Sequence, residues 1–419
     1  MLNKTFPLIG FIACAYLFWP GLIRPDSITQ LQQALAWSFN DSHPPMFGIT
    51  LWSLGKIYNG YGLTILFNLA IYWSAISLYA KTEKTKPWLY SLIAIFPPIL
   101  AYQMLVIKDI AFVNSYVFMC AWLHFYSSKS IRPSKLSLLL WLAIAFYGTA
   151  CAYQAVIALP GLCFWLSRIY LPHNRNKWIS LGAIIFIGIT GAVFLFNKQL
   201  ISSSARGQML KLYDLTGISI KLNHPVFPQY LKENPSFDFE RIKNLYNPRR
   251  VDDLIFCQET PLPPAINLEQ SKALQKAWIK SIVNHPIAYL KHRFDIFYQQ
   301  LTLSLLKNTD EIKGEIHERI IKIMNLFKDS WIFEIAKLFM SCILYMILQI
   351  FLIFKAMKDF QKHKTYADIF FQNMSGISLT ISLFFIANAA EARYAYLTIV
   401  TCCFSLPMLI NIRKDLCNR

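Results

Sequence analysis

Apolar residues in this chain come in long blocks separated by short polar connections. The blocks lie near residues 6–23, 61–80, 88–105, 109–126, 136–150, 155–168, 178–196, 331–354, 366–387 and 394–410. Blocks of this length predict about ten transmembrane helices, and so an all-α polytopic membrane protein. Two stretches break the rhythm. Between residues 24 and 60 the apolar positions Ile28, Leu31, Leu35 and Phe39 recur at helical spacing among polar neighbours. That pattern predicts a helix lying in the interface plane. Pro44 and Pro45 then suit the first turn of a second interfacial helix running to about Tyr58.

The other break, residues 197–330, contains no spanning run. Its middle is rich in proline. Toward its end Leu274, Trp278 and Ile282 mark one helix, and Pro286 opens another with Leu290, Phe294, Phe297 and Leu301 on one side. Asp310 suits the cap of a third, carrying Ile316, Ile320, Met324 and Phe327. The predicted organisation is therefore an N-terminal membrane module (1–196) with a functional first outer loop (24–60), a small, mostly helical outer domain (197–330), and C-terminal membrane helices (331–419).

Composition agrees with the class: 55% of the 419 residues are hydrophobic and 15% are charged. The net charge of +18 raises nucleic acid as a partner, but no basic helix or basic–aromatic motif accompanies it. The distribution of charge gives the better reading. With Lys4 inside, Lys81, Lys129, Arg132, Arg168, Lys364 and other basic residues fall on one side, whereas the short connections of the other side hold only Arg24, Lys56, Lys108 and Arg393. This asymmetry predicts a multi-pass membrane protein with both termini cytoplasmic. The first apolar block is read as a retained span and not a cleaved signal, because its loss would disorder the charge pattern downstream. Cysteines form neither a disulfide framework nor a paired CxxC site.

Four acidic residues, Asp26, Asp41, Asp109 and Glu391, fall at predicted outer helix ends, three of them beside Arg24, Lys108 and Arg393 in the strings RPD, IKD and EAR. Salt-bridged helix caps would account for any one of these pairs. Their gathering on a single face suggests chemistry: a phosphate-linked leaving group needs cations near its oxygens, and an attacking hydroxyl needs a carboxylate to take its proton. Asp26, Asp41 and His43 are also metal-ligand types, so a divalent metal stays open as a cofactor, although no HExxH motif is present.

The order of Pro25-Asp26-Ser27, His43-Pro44-Pro45, Lys108-Asp109 and Glu391-x-Arg393-Tyr394 resembles the GT-C superfamily of integral membrane glycosyltransferases, similar to the protein O-mannosyltransferases and the lipid A aminoarabinose transferase. The resemblance implies inverting transfer of a sugar from a polyprenyl-phosphate donor to a hydroxyl of a lipid, polysaccharide or protein acceptor on the periplasmic face. It maps the family's essential acid onto Asp26 as general base, with Asp41 orienting the acceptor. Lys108 and Arg393 would hold the donor phosphate, with His43, Asp109, Glu391 and Tyr394 completing the substrate site. The competing class is a transporter or flippase of a lipid-linked or anionic solute, for which ionisable groups at the bilayer midplane and related halves are expected.

Overall fold

The computed structural model describes residues 2–82, 86–203, 206–257, 259–303 and 338–417. The predicted third helix of the outer domain, from Asp310 to Phe327, lies outside the described residues.

The N-terminal half begins with α1 (Leu2–Phe18), α2 (Pro25–Leu35), α3 (Pro45–Ile57) and α4 (Gly62–Thr82). In α2 the small and polar residues Ser27, Gln30 and Ala34 face the protein, while Ile28 and Leu35 are exposed. An inverted arrangement of this kind suits a helix whose outer face meets an apolar medium. Gly48 of α3 lets the two helices touch: a Cβ there would lie 2.5 Å from the Gln30 carbonyl oxygen.

The apolar block at 88–105 is two helices, α5 (Trp88–Ala94) and α6 (Pro97–Gln103), because Pro97 and Pro98 cannot continue a helix but readily begin one. Then come α7 (Lys108–Lys129), α8 (Lys135–Cys151), α9 (Ala155–Tyr170) and α10 (Arg175–Leu200). Ser134 and Asn174 cap α8 and α10 by accepting from the backbone N–H of Ser137 and Lys177. The chain returns to this body through α17 (Cys342–Lys358), α18 (Lys364–Ile386), a 3-10 turn (Ala392–Ala395) and α19 (Tyr396–Cys417), the intervening helices being given below.

Four segments among the described residues are long and apolar enough to cross a membrane: Gly62–Thr82, Arg175–Leu200, Lys364–Ile386 and Ala392–Ile412. The expectation of about ten transmembrane helices is corrected to these four, and with it the predicted polytopic fold class. Multi-pass membrane character stands on the four. The reasons are specific. Thr5–Phe18, Lys135–Cys151 and Ala155–Tyr170 are apolar but shorter. The 88–105 block is broken. At 22 residues α7 is long, but Asn114, Ser115 and His124 interrupt its apolar character. These polar groups are enclosed by protein, since α7 packs against α4, α8, α9, α18 and α19. Asn114 bonds Gln103 and the Asn68 carbonyl, and Ser115 bonds the Ala111 carbonyl. By contrast α10 turns Ile184, Ile187, Phe194 and Leu195 outward.

Two short parallel strand pairs also qualify the all-α expectation. Strand β1 (Leu22–Ile23) pairs with β3 (Leu105–Val106), and β2 (Phe39–Asn40) with β4 (Ile201–Ser203). They stitch loops together rather than form a layer.

A second core is built on α11 (Arg206–Leu222), α15 (Leu268–Asn284) and α16 (Pro286–Thr302), with short helices α12 (Gln229–Lys232), α13 (Phe239–Leu245) and α14 (Asp252–Ile255) between them. Leu212, Tyr213, Leu215, Leu231, Ile242, Leu274 and Ile296 fill it. At its centre Asp214 and Arg293, both fully buried, form a 2.6 Å ion pair, and Trp278 Nε1 donates to the other carboxylate oxygen at 2.8 Å. His292 stands 3.4 Å from Asp214 through Nε2, and its Nδ1 lies 2.9 Å from Tyr246 Oη. Burial pushes the imidazole pKa below its usual value, only partly countered by Asp214. Gly217 makes room for the ring, since a Cβ there would collide with it.

Removing one partner of such a buried pair leaves an uncompensated charge, so Arg293→Met is expected to cost about 3–5 kcal/mol. Asp214→Asn combined with Arg293→Met should recover part of that loss. Denaturant unfolding of the single and double variants checks both, and an Arg293→Met protein as stable as the parent would refute the assignment.

Candidate functional site

A cavity of about 570 Å³ opens where several helices begin. Its polar wall includes Asp26, His43, Lys108, Gln154, Glu391 and Arg393, and its apolar wall includes Met209, Phe256, Leu383 and Ile386.

The pairing of β1 with β3 sets the geometry. Leu22 is in register with Leu105 and Ile23 with Val106, so the chain enters α2 and α7 side by side. Ser27 Oγ donates to the Val106 carbonyl at 2.8 Å and locks the arrangement. Asp26 and Asp109 therefore occupy adjacent first turns, where the partial positive charge of a helix start favours a carboxylate.

The third contributor comes from the far end of the chain. Glu391 precedes the 3-10 turn that leads into α19, and Arg393 lies within that turn. The segment before it is gripped from the second core: Arg293 Nη1 donates to the Ala387 carbonyl at 2.6 Å, Gln300 Nε2 donates to the Glu391 carbonyl at 2.6 Å, and the Glu391 N–H donates to Gln300 Oε1 at 2.9 Å. The backbone of Arg249 and Val251 bonds Ala390 and Asn388.

Held in this way, Arg393 has three carboxylates around it. Asp26 Oδ2 is 2.9 Å from Nη2, Glu391 Oε2 is 3.5 Å from Nε, and Asp109 Oδ2 is 3.8 Å from Nε. The guanidinium side chain is 10% exposed and that of Asp109 is 1% exposed. The other Asp109 oxygen, Oδ1, accepts a hydrogen bond at 2.9 Å from Gln154 Nε2 at the start of α9. Lys108 Nζ donates to His43 Nδ1. While the lysine is an ammonium it has no lone pair, so Nδ1 accepts and any proton on a neutral ring is on Nε2. For Asp26, burial raises the pKa, but Arg393, Lys108 and His43 together outweigh burial and bring it down to about 2.

Of the predicted site residues, Asp26, His43, Lys108, Glu391, Arg393 and Tyr394 line the cavity. Asp109 is buried beneath it and ion-paired to Arg393. Asp41, in the turn after β2, is not part of the lining. Among the described residues no three His, Cys, Asp or Glu side chains are arranged to hold a metal ion, and Asp26, Asp41 and His43 are not such a group. Sequence reasoning missed Gln154 and Gln300 and gave Ser27 no role of its own. They are neutral residues in or beside helices, and no signal in the sequence distinguishes them from ordinary polar positions.

No family model, curated protein or solved structure matches the chain. The GT-C resemblance is corrected accordingly: no match supports it, and among the described residues four helices long and apolar enough to cross a membrane replace the ten expected. The function and partners inferred from it fall with it. These are the inverting sugar transfer, the polyprenyl-phosphate donor, the lipid, polysaccharide or protein acceptor, and a role in envelope glycan synthesis.

The Asp26–Arg393 pair makes acid stability a test of this geometry. A carboxylate whose folded pKa lies below its unfolded value contributes stability that is fully present above the unfolded value, near pH 4, and is lost as pH falls toward 2. A third of the Asp26 side chain faces solvent, which screens the pair and limits the contribution to below about 2 kcal/mol. Thermal unfolding of the parent and of Asp26→Asn between pH 5 and pH 2.5 should show a shallower acid decline for the variant. Identical declines would contradict the pairing.

Proposed function

We propose that the protein is an enzyme and that the cavity around Asp26 is its active site. The observation that carries this reading is the Asp26–Arg393 ion pair, which joins residues 367 positions apart in a cavity wall that also carries Lys108, His43 and Glu391. Buried charge held by long-range contacts at a concave site is the usual setting of acid–base chemistry.

The roles differ among the residues. Arg393 is already balanced by three carboxylates, so it organises them. Lys108, His43 and the helix starts at Lys108 and Ala155 offer the positive field for an anionic group of the substrate. Asp26 is the proton acceptor. Paired with Arg393 it is a weak base, but burial alone would raise its proton affinity. A substrate that loosens the pair therefore turns the carboxylate into a competent base. Met209, Phe256, Leu383 and Ile386 give the substrate an apolar surface to lie against. Asp109 and Gln154 act from behind by fixing the guanidinium.

The charge distribution supports a reading of location as well. Lys129, Arg132, Arg168 and Lys364 lie at the helix ends away from the cavity, which supports a bacterial inner membrane setting with cytoplasmic termini and a cavity opening outward.

Asp26→Asn should leave protein level and membrane fraction unchanged and should reproduce the small-molecule and lipid profile of cells lacking the protein, as read by untargeted mass spectrometry. A variant with the profile of the parent would reject Asp26 as the base. Orientation has its own test, because Cys257 is partly exposed next to cavity-lining Phe256. A membrane-impermeant maleimide should label intact spheroplasts at Cys257, and Cys257→Ser should remove that label. Labelling of Cys257 that requires permeabilisation would reverse the orientation.

A further inference from the structure

A second cavity, of about 280 Å³, lies at the other end of the helical body. It is reached along α7 and α18: each has one end at the Asp26 cavity and the other here, about 32 Å away for a helix of 22 residues. None of its lining residues belongs to the site described above.

Three cations, Arg132, Arg168 and Lys364, line it against one acid, Asp368. Asp368 is 1% exposed and its oxygens are engaged. Ser127 Oγ and Trp165 Nε1 donate to Oδ1 at 2.7 and 2.9 Å, and His124 Nδ1 lies 2.9 Å from Oδ2. Arg168 makes no ion pair among the described residues. Its guanidinium stacks 4.3 Å from the Phe360 ring centroid, and its Nη1 is buried without a hydrogen-bond partner. Lys364 is steered to the rim by the Ser128 carbonyl and by Ser130 Oγ, the latter at 2.7 Å.

A buried guanidinium edge without an acceptor is costly, and such groups persist where something supplies the acceptor. The wall charges sum to +2, which matches a dianion better than a carboxylate. The planar fork of arginine suits two phosphate oxygens at once. We propose that this cavity binds a ligand carrying a phosphate group, held by Arg168 from within and by Arg132 and Lys364 at the rim. The phosphate belongs either to an anionic lipid headgroup or to a water-soluble phosphate, the chemistry of recognition being shared.

The full-length protein in a neutral detergent tests this by thermal unfolding with inorganic phosphate or dihexanoyl phosphatidic acid, each against chloride at matched ionic strength. At least one probe should raise the melting temperature of the parent. Half-saturation should move up by about tenfold in Arg132→Gln, the loss of one charge-assisted contact. The shift should vanish in Arg168→Gln and stay intact in Lys108→Gln, which lies at the other cavity. A response to phosphatidic acid alone supports the site as a headgroup site, and a response to inorganic phosphate supports it as a site for soluble phosphates. No shift with either probe overturns the proposal, as does an unchanged half-saturation in Arg132→Gln. If Arg168→Gln does not fold, the exposed Arg132 position decides alone.

Discussion

The guanidinium of Arg393, nearly enclosed and ringed by the carboxylates of Asp26, Asp109 and Glu391, is the contact on which the architecture around the larger cavity depends. A charge withdrawn from water must be answered by charge or hydrogen bonds of matching geometry, and its partners are then committed to their positions. Here the partners come from the first turn of α2, the first turn of α7 and the residue just ahead of the 3-10 turn. Each acid also sits where a helix start favours it. With three carboxylates against Arg393 and Lys108, the cluster carries more negative than positive charge even when Lys108 is counted.

Two supports keep the contact in place, one from each core. From the helical body, the β1–β3 register and the Ser27–Val106 bond bring α2 and α7 in together. From the second core, Arg293 and Gln300 of α16 hold the backbone of Ala387 and Glu391. Arg293 can do this because Asp214 fixes its other end in a fully buried pair. The second core is thus more than a cover over the cavity: its own buried ion pair extends to the loop that presents Arg393.

Much of this was legible in the sequence, and the rest was not for physical reasons. The acids and cations at helix ends stood out because charge beside long apolar runs is rare, and Asp26, Lys108, Glu391 and Arg393 do meet in one cavity. Proline marked the starts of α3 and α16, as its fixed backbone angle requires, whereas the starts at Pro25 and Pro97 went unread. Hydropathy over-counted spanning helices because it cannot distinguish lipid from a protein interior as the surroundings of an apolar run. At 88–105 an apolar run is broken by Pro97 and Pro98, and α7 is central yet polar. Residue type alone could not separate Asp41 from Asp26: Ser42 and His43 line the cavity but Asp41 is not among the lining residues. Gln154 and Gln300 were invisible because an amide acquires a role only through the partner it meets.

The interior between the two cavities bears on what kind of site this is. Along the middle of the body the polar side chains bond one another. Gln103 and Asn114 exchange hydrogen bonds beside Tyr396, Tyr79 donates to Gln372, and Gln372 and Asn373 both donate to Ser405. Pairs of this kind satisfy donors and acceptors inside the packed helices and specify which turns face each other. Ionisable groups instead collect at the ends, around Arg393 at one and around Asp368 and Arg168 at the other. A passage for a charged solute would need its polar groups free to exchange partners along the way, whereas these are committed to each other. Charge gathered at the two ends, with an apolar wall beside Asp26 and Arg393 at one of them, is what the proposed reading of that cavity as an active site rests on.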